Sequence, residues 1–192
     1  MALSEKNKKI FGAVFLIAIF AFWIIILYKI PPTEIVDKVG VQNSYLLVFV
    51  LAIIGGISIL FPLPYYLVVF TFAAGGSNPI LLAVMAGTGV AVGDSTSYLV
   101  GYSGREILTG KPMVIFNKIY EWLSKKPKWM LFSFLYAYTA ISPLPNDLIN
   151  VPMGFMRFPY FRLVIPMWLG NMTFNLIIAL SGMYGFHLFF IK

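Results

Sequence analysis

Long apolar runs separated by short polar or basic segments dominate the pattern of this chain. The first run, residues 10–30, follows a group of lysines. Its roughly 20 residues suffice to cross a hydrocarbon core of about 30 Å. Pro31 and Pro32 follow it in place of a small-residue cleavage site, so we expect a transmembrane helix rather than a cleaved signal peptide.

Two further apolar stretches are interrupted by proline pairs. The breaks are Pro62 and Pro64 within residues 45–74, and Pro143 and Pro145 within residues 130–155. Proline lacks an amide donor and clashes with the preceding turn, so a helix must break there. Because the halves are too short to cross comfortably, each stretch is predicted to form a re-entrant hairpin whose tip faces protein or water.

An uninterrupted apolar stretch follows each hairpin, at residues 80–102 and 163–184, and each is predicted to cross the membrane. In the first of them Gly89, Gly93 and Gly101 recur at multiples of four residues, with Ser97 in the same register. These small residues share one helix face and predict close packing against another helix. Such stripes could pack within one chain or between the copies of a homo-oligomer, and both remain open.

The segment between the two halves, residues 105–127, has a different pattern. Phe116, Tyr120 and Leu123 recur at helical spacing, whereas Lys118 and Glu121 lie on the opposite side. This predicts an amphipathic helix that lies in the membrane interface.

A shift of 81 residues aligns the two halves of the chain. It places Pro62, Pro64, Gly89, Asp94 and Gly101 on Pro143, Pro145, Gly170, Asn175 and Gly182. Since one crossing separates the two units, they would insert upside down relative to each other. We therefore predict a single all-α membrane domain, with repeat 1 at residues 44–104 and repeat 2 at residues 128–185. Inverted repeats with broken helices are typical of transporters.

Composition supports a membrane protein and excludes several kinds of site. The chain is 60% hydrophobic and only 11% charged, whereas soluble domains have about 25% charged residues. It has no cysteine and one histidine, which excludes thiolate and multi-histidine metal sites, and no cofactor is predicted. The net charge of +7 indicates contact with anionic lipid rather than with nucleic acid.

The distribution of basic residues predicts an orientation. With a cytoplasmic N-terminus, eleven of the fourteen basic residues lie inside, and Lys29, Lys38 and Lys192 lie outside. The inside set is Lys6, Lys8, Lys9, Arg105, Lys111, Lys118, Lys125, Lys126, Lys128, Arg157 and Arg162. This bias follows the positive-inside rule.

Several motifs together resemble the DedA/VTT superfamily, also called the SNARE-associated Golgi protein family. The most specific is SPLPNDLINVPMG at residues 142–154, followed by Arg157-Phe158-Pro159 and Phe161-Arg162. The first half matches at Pro62-x-Pro64, Ala74-Gly75, Gly93-Asp94 and Gly101-Tyr102-x-Gly104-Arg105. The similarity covers roughly residues 61–185.

This resemblance implies two facing re-entrant hairpins and a flippase or scramblase that moves polyprenyl phosphate or phospholipid. The expected location is a prokaryotic plasma membrane. Bacterial members carry acidic residues in the first hairpin and arginines in the second. Here Tyr65 and Tyr66 occupy the first hairpin, and Ala140 and Asn146 stand at the expected arginine positions, so the chain is closer to the VTT branch.

Two carboxylates are the main candidates for chemistry within the membrane. Asp147 follows a proline break near the predicted mid-membrane, where an ionisable group is costly and indicates function. Alternatively, Asn146 or Asp147 caps the helix that begins after Pro145. Asp94 either lines a polar path or makes a packing hydrogen bond, and Asn175 is interpreted as structural.

The helices that leave the hairpins are predicted to begin at Pro64 and Pro145, with their N-termini directed inward. Free amide groups at such ends form a site for a lipid phosphate. The side chains that could add hydrogen bonds are Tyr65, Tyr66, Asn146 and Asn150. Alternatively, these ends pack on each other. Arg157 and Arg162 are either positive-inside anchors or headgroup ligands at the cytoplasmic mouth.

Two protease-like patterns were weighed against these interpretations. Gly101-Tyr102-Ser103-Gly104 matches the GxSG of rhomboid proteases, but the one histidine, His187, is predicted on the opposite membrane face. Gly93-Asp94 is similar to intramembrane aspartyl proteases, but Ala91 replaces the first glycine of GxGD. The sequence thus favours a lipid transporter without enzymatic activity. The alternatives are a membrane scaffold and, third, an intramembrane enzyme.

Overall fold

The computed structural model describes residues 18–19, 21–57, 64–107, 111–142 and 144–190. Every regular element in these ranges is helical, which confirms the all-α prediction for them. The helices are α1 at residues 21–29, α2 Pro32–Val39, α3 Val41–Gly56, α4 Tyr66–Ala74, α5 Pro79–Gly104, α6 Lys111–Ser124, α7 Lys128–Ile141, α8 Asp147–Phe155 and α9 Tyr160–Phe190. A 3₁₀ turn, Arg105–Ile107, extends α5. The predicted breaks Pro62 and Pro143, and most of the first half of residues 10–30, lie outside the described residues.

Two of the described helices are long and apolar enough to cross a membrane. They are Pro79–Ile107, with a mean hydropathy of 1.4, and Tyr160–Phe186, with a mean hydropathy of 1.7. A third crossing is available if α2 and α3 count as one span bent by 94°. The bend lies at Gly40, whose φ of 85° favours glycine. These lengths fit an integral membrane protein.

Helices α5 and α9 pack antiparallel at the centre of the fold. Gly87 lies against Met172, Trp168 Nε1 donates to Thr88 Oγ1 over 3.1 Å, and the hydroxyls of Ser95 and Tyr160 share a hydrogen bond of 2.6 Å. As the residue number rises along α5, the number of its partner on α9 falls. The two helices therefore run in opposite directions.

Four shorter helices pack around this pair in a crossed arrangement. Helix α3 packs on α5 and α7 packs on α9, whereas α4 packs on α9 and α8 packs on α5. Helices α4 and α8 have nine residues each, so each is only about 14 Å long and cannot cross a bilayer alone.

Glycines permit these close approaches. A β-carbon at Gly89 would collide with α3, at Gly101 with Val151 of α8, at Gly170 with α7 and at Gly182 with Phe70 of α4. A β-carbon at Gly93 would collide with Ile53 and Gly56 of α3. The predicted packing glycines thus lie at contacts between helices, and these contacts join α5 and α9 to four shorter helices, α3, α4, α7 and α8.

The turns after α4 and α8 have the same hydrogen bonds. The amides of Gly76 and Ser77 donate to Ala73 and Phe72, and those of Arg157 and Phe158 donate to Gly154 and Met153. Gly76 has a φ of 95° and Arg157 a φ of 51°. A left-handed residue normally ends a helix in this way and is usually glycine, so Arg157 adopts a backbone conformation that costs it free energy.

Candidate functional site: a buried polar chain between α5, α8 and α9

Asp94 is the centre of a buried group of hydrogen bonds. It lies on α5 with 5% of its surface exposed. Its Oδ2 accepts hydrogen bonds from Asn146 Nδ2 at 2.8 Å and from Asn171 Nδ2 at 3.3 Å. Asn146 immediately precedes α8, and Asn171 lies on α9. One carboxylate oxygen therefore joins three parts of the fold.

The polar group continues along α9. Asn175 Nδ2 donates to the backbone carbonyl of Asn171 at 2.8 Å and to Tyr65 Oη at 3.4 Å. Tyr65 immediately precedes α4. The resulting polar chain, defined here as Asp94, Asn146, Asn171, Asn175 and Tyr65, connects the beginning of α8 with the beginning of α4.

Several buried side-chain atoms of α5, α8 and α9 have no hydrogen-bond partner. They are Asp94 Oδ1, Ser97 Oγ, Asn150 Nδ2 and Asn175 Oδ1. Leaving a buried polar atom unsatisfied costs about 1–3 kcal/mol. Apolar side chains could fill the same space without this cost. The site therefore keeps hydrogen-bond donors and acceptors that the fold itself does not use.

A small cavity lies beside Asp94 and Asn150. Its volume is about 10 Å³, and its walls include Asp94, Asn150, Tyr98 and Tyr160. That volume is about the minimum for one water molecule. Asp147, the first residue of α8, directly follows Asn146, whose amide contacts Asp94. The site therefore combines acidic groups, amide donors and space for about one water molecule.

The structure brings together Tyr65, Asp94, Asn146 and Asn150 from the predicted set, whereas Arg157 and Arg162 lie elsewhere. Arg157 follows the far end of α8, where its guanidinium lies 4.9 Å from the Tyr102 ring and 3.4 Å from Glu106 Oε1. Arg162 lies in the first turn of α9 and borders a different cavity. Tyr66 lies in the first turn of α4, with its ring edge-on to Tyr65.

Two details differ from the sequence-based expectation. Helices α4 and α8 begin at Tyr66 and Asp147, two residues after Pro64 and Pro145. Asn146 occupies the position before α8 but makes no capping hydrogen bond. Its Nδ2 group donates to Asp94 Oδ2 and Asn171 Oδ1. The capping interpretation of Asn146 is therefore wrong.

Sequence reasoning missed Asn171. This residue is 4% exposed and holds Asp94 directly. A usable signal was present, because Asn171 and Asn175 are four residues apart and so share one face of an otherwise apolar helix. In the described part of the chain, no three His, Cys, Asp or Glu residues form a group that could hold a metal ion.

Comparison of the chain with models of known families, with characterised proteins and with solved structures gave no match. The function therefore has to be argued from the site itself.

Proposed function

We propose that this chain is a membrane lipid translocator of the flippase or scramblase type, whose substrate carries a phosphate, as polyprenyl phosphate and phospholipids do. The observation that carries the proposal is the polar chain from Asp94 to Tyr65, three of whose members, Asp94, Asn171 and Asn175, are buried on the two helices that are long enough to cross a membrane. Buried carboxylates and amides at that depth are costly and mark transport paths by default.

The proposed architecture is an inverted repeat of a re-entrant hairpin and a span, in a prokaryotic plasma membrane with the N-terminus in the cytoplasm. Helices α4 and α8 begin 81 positions apart, and so do α5 and α9. The same shift relates the contact of Gly101 with Val151 to the contact of Gly182 with Phe70. The antiparallel packing of α5 on α9 also supports this architecture, because inverted units must cross in opposite directions.

The amides around Asp94 suggest how a headgroup is recognised. Asn146 and Asn171 both direct Nδ2 groups at one carboxylate oxygen, and the Asn150 side chain also interacts with the Asp94 carboxylate. A phosphate oxygen is an acceptor of the same kind, since anionic oxygens form strong charge-assisted hydrogen bonds. In the proposed mechanism the phosphate takes these amides from Asp94, and a proton bound by the Asp94 carboxylate prevents repulsion between like charges.

The structure corresponds to a closed state in this mechanism. Space for about one water beside Asp94 does not admit a headgroup, so α8 must separate from α5 and α9. The hydrogen bond between Asn146 and Asp94 is the contact that breaks first, because Asn146 lies at the end of α8 next to the loop.

A liposome assay tests the proposal. Purified protein is reconstituted, and the movement of labelled polyprenyl phosphate and phospholipid between leaflets is followed with and without a pH gradient. We expect movement above that in empty liposomes, falling at least about tenfold in Asp94→Asn and in Asp147→Asn. Asp37→Asn, the same chemical change at an exposed carboxylate of α2, should leave transport unchanged. Wild-type transport by the Asp94→Asn, Asp147→Asn double variant contradicts the proposal.

A membrane scaffold is the second candidate, and the close packing around the polar chain favours it. Gly87, Gly93, Gly101 and Gly182 leave no room for a β-carbon, as expected where helices stay together permanently. A scaffold predicts that the folded wild-type protein moves none of the lipids tested. The liposome assay therefore separates the two functions.

A further inference from the structure

A second cavity lies away from the polar chain, between the end of α6, the beginning of α7 and the beginning of α9. Its volume is about 490 Å³, within the usual 300–1,000 Å³ range of ligand sites. Three cationic residues border it, namely Lys126, Lys128 and Arg162. Each belongs to a different part of the wall: the α6–α7 loop, the first turn of α7 and the first turn of α9.

These three cations have no carboxylate partner among the described residues. The described ion pairs join Lys38 with Glu34 and Arg157 with Glu106, and no Asp or Glu borders the cavity. Lys126 instead places its Nζ 4.5 Å from the centre of the Trp122 ring. Three positive charges that converge without a counter-ion favour an anionic ligand.

The wall changes from charged to apolar over one helical turn. Leu131 and Phe132 follow Lys128 on α7, and Ile165 follows Arg162 on α9, and all of these line the cavity. One turn corresponds to about 5.4 Å along each helix. Phe161, which also lines the cavity, is 72% exposed, as is usual for aromatic residues at a membrane interface. The cavity is therefore lined by cationic residues at the beginnings of α7 and α9 and by apolar residues one turn further along each helix.

This cavity is separate from the Asp94 site because the two lie on opposite faces of α9. Tyr160, Leu163 and Met167 face the cavity beside Asp94, whereas Arg162 and Ile165 face the larger one. At about 100° per residue these two sets occupy different sides of the helix. A ligand in the larger cavity does not touch the polar chain.

We propose that this cavity binds one anionic phospholipid. Its phosphate lies among Lys126, Lys128 and Arg162, and one acyl chain lies over Leu131, Phe132 and Ile165. The bound lipid bridges α6 to the α7–α9 pair, which holds the amphipathic helix in place. The proposal rests on membrane embedding and charge, and it does not depend on lipid translocation.

Native mass spectrometry of the full chain, delipidated in detergent, tests the proposal. The probes are phosphatidylglycerol, phosphatidylcholine of the same acyl chains, and sn-glycerol 3-phosphate. We expect phosphatidylglycerol to bind at least about tenfold more tightly than phosphatidylcholine, because each basic residue attracts an anionic lipid. Glycerol phosphate, which lacks acyl chains, should bind far more weakly than either lipid.

Two variants localise the site. The triple variant Lys126→Gln, Lys128→Gln, Arg162→Gln should lose the preference for phosphatidylglycerol. The control Lys38→Gln, Lys118→Gln, Lys125→Gln removes the same charge from exposed residues outside the cavity and should retain it. Ile165→Trp fills the apolar part and should weaken phosphatidylglycerol binding about tenfold with all charges present.

Three results would overturn the assignment. Equal binding of the two lipids removes the role of charge, and glycerol phosphate binding as tightly as phosphatidylglycerol removes the role of the acyl chain. Retained preference in a folded triple variant, judged by its tryptophan fluorescence melt, places the lipid elsewhere. Failure of the liposome assay leaves these binding results unaffected, so the two proposals fail independently.

Discussion

The two ends of the buried polar chain have matching backbones and different side chains. At one end Asp94 of α5 accepts from Asn146, the residue before α8. At the other end Asn175 of α9 donates to Tyr65, the residue before α4. A shift of 81 positions relates the members of one pair to the members of the other. Each long helix therefore contacts the short helix of the other half at an equivalent position.

The surroundings of these two pairs differ sharply in polarity. Beside Asp94 lie Asn150 and Asn171, and the equivalent positions, 81 residues earlier, are Val69 and Val90. Both valines are buried in an apolar cluster. Polar side chains are thus concentrated at the Asp94 end of the polar chain, whereas buried apolar side chains occupy the equivalent positions at the Asn175 end.

The two ends therefore share backbone geometry without sharing side-chain chemistry. Glycines and helix-ending turns recur in both halves because close helix approach and chain reversal require them. Side chains that are not required for close helix approach or for chain reversal can differ between the two halves. The Asp94 end of the polar chain is therefore the end that we expect to carry function.

The largest effects should come from the shared backbone contacts. Gly101→Ala and Gly182→Ala each place a β-carbon against a carbonyl of a neighbouring short helix. Each should lower the free energy of unfolding by about 3 kcal/mol, at the upper end for overpacking. Tryptophan fluorescence melts in detergent measure the change, and Gly185→Ala, which meets no atom within 4 Å, is the tolerated control. A large loss of stability at only one of the two glycines would show that the two contacts are not equivalent.

Exchange of polarity between the halves should have the next largest effect. Val69→Asn buries an amide in the apolar cluster and should cost about 2 kcal/mol of unfolding free energy. The reverse change, Asn150→Val, removes a buried nitrogen that has no partner and should stay within about 1 kcal/mol of wild type. The same melts compare the two variants, and the liposome assay should show reduced transport in Asn150→Val alone. Equal destabilisation by both would contradict the assigned polarity difference.

The two helix-ending turns predict a smaller contrast. Gly76→Ala forces a side chain into a left-handed backbone and should cost about 1 kcal/mol, although the surrounding space is open. Arg157→Gly relieves the same strain but loses the contact with Tyr102, so its net effect should be near zero. Arg157→Ala keeps the strain and loses the contact, and it should be the less stable of the two Arg157 variants. The reverse order would show that the left-handed backbone at this position costs the alanine side chain no free energy.

The smallest effect is expected at the apolar end of the polar chain. Tyr65→Phe removes a hydrogen bond of 3.4 Å and should lower the free energy of unfolding by about 0.5 kcal/mol. Tyr28→Phe, at a tyrosine that is 83% exposed, is the matched control and should have no effect. A loss above that of Val69→Asn would mean that Tyr65 carries more of the site than its geometry indicates.

Much of this architecture follows from the sequence by itself. Apolar run length decides which segments can cross a membrane, and α5 and α9 begin within a few residues of the predicted crossings. Amphipathic spacing predicts a surface helix, and α6 forms inside the predicted linker segment. Asp94, Asn146 and Asn150 stand out because polar groups are rare in apolar runs. These are local properties, readable without knowledge of neighbours.

Tertiary structure alone decided which surfaces meet. Helical spacing places Gly89 and Gly101 on one face of α5, but only the fold assigns α3 to the first glycine and α8 to the second. Only the fold turns the Asn146 amide away from a helix cap and towards Asp94, because that choice depends on a residue 52 positions away. Helix periodicity determines what a face presents, whereas the partner depends on chain reversals and packing distances that involve the whole molecule.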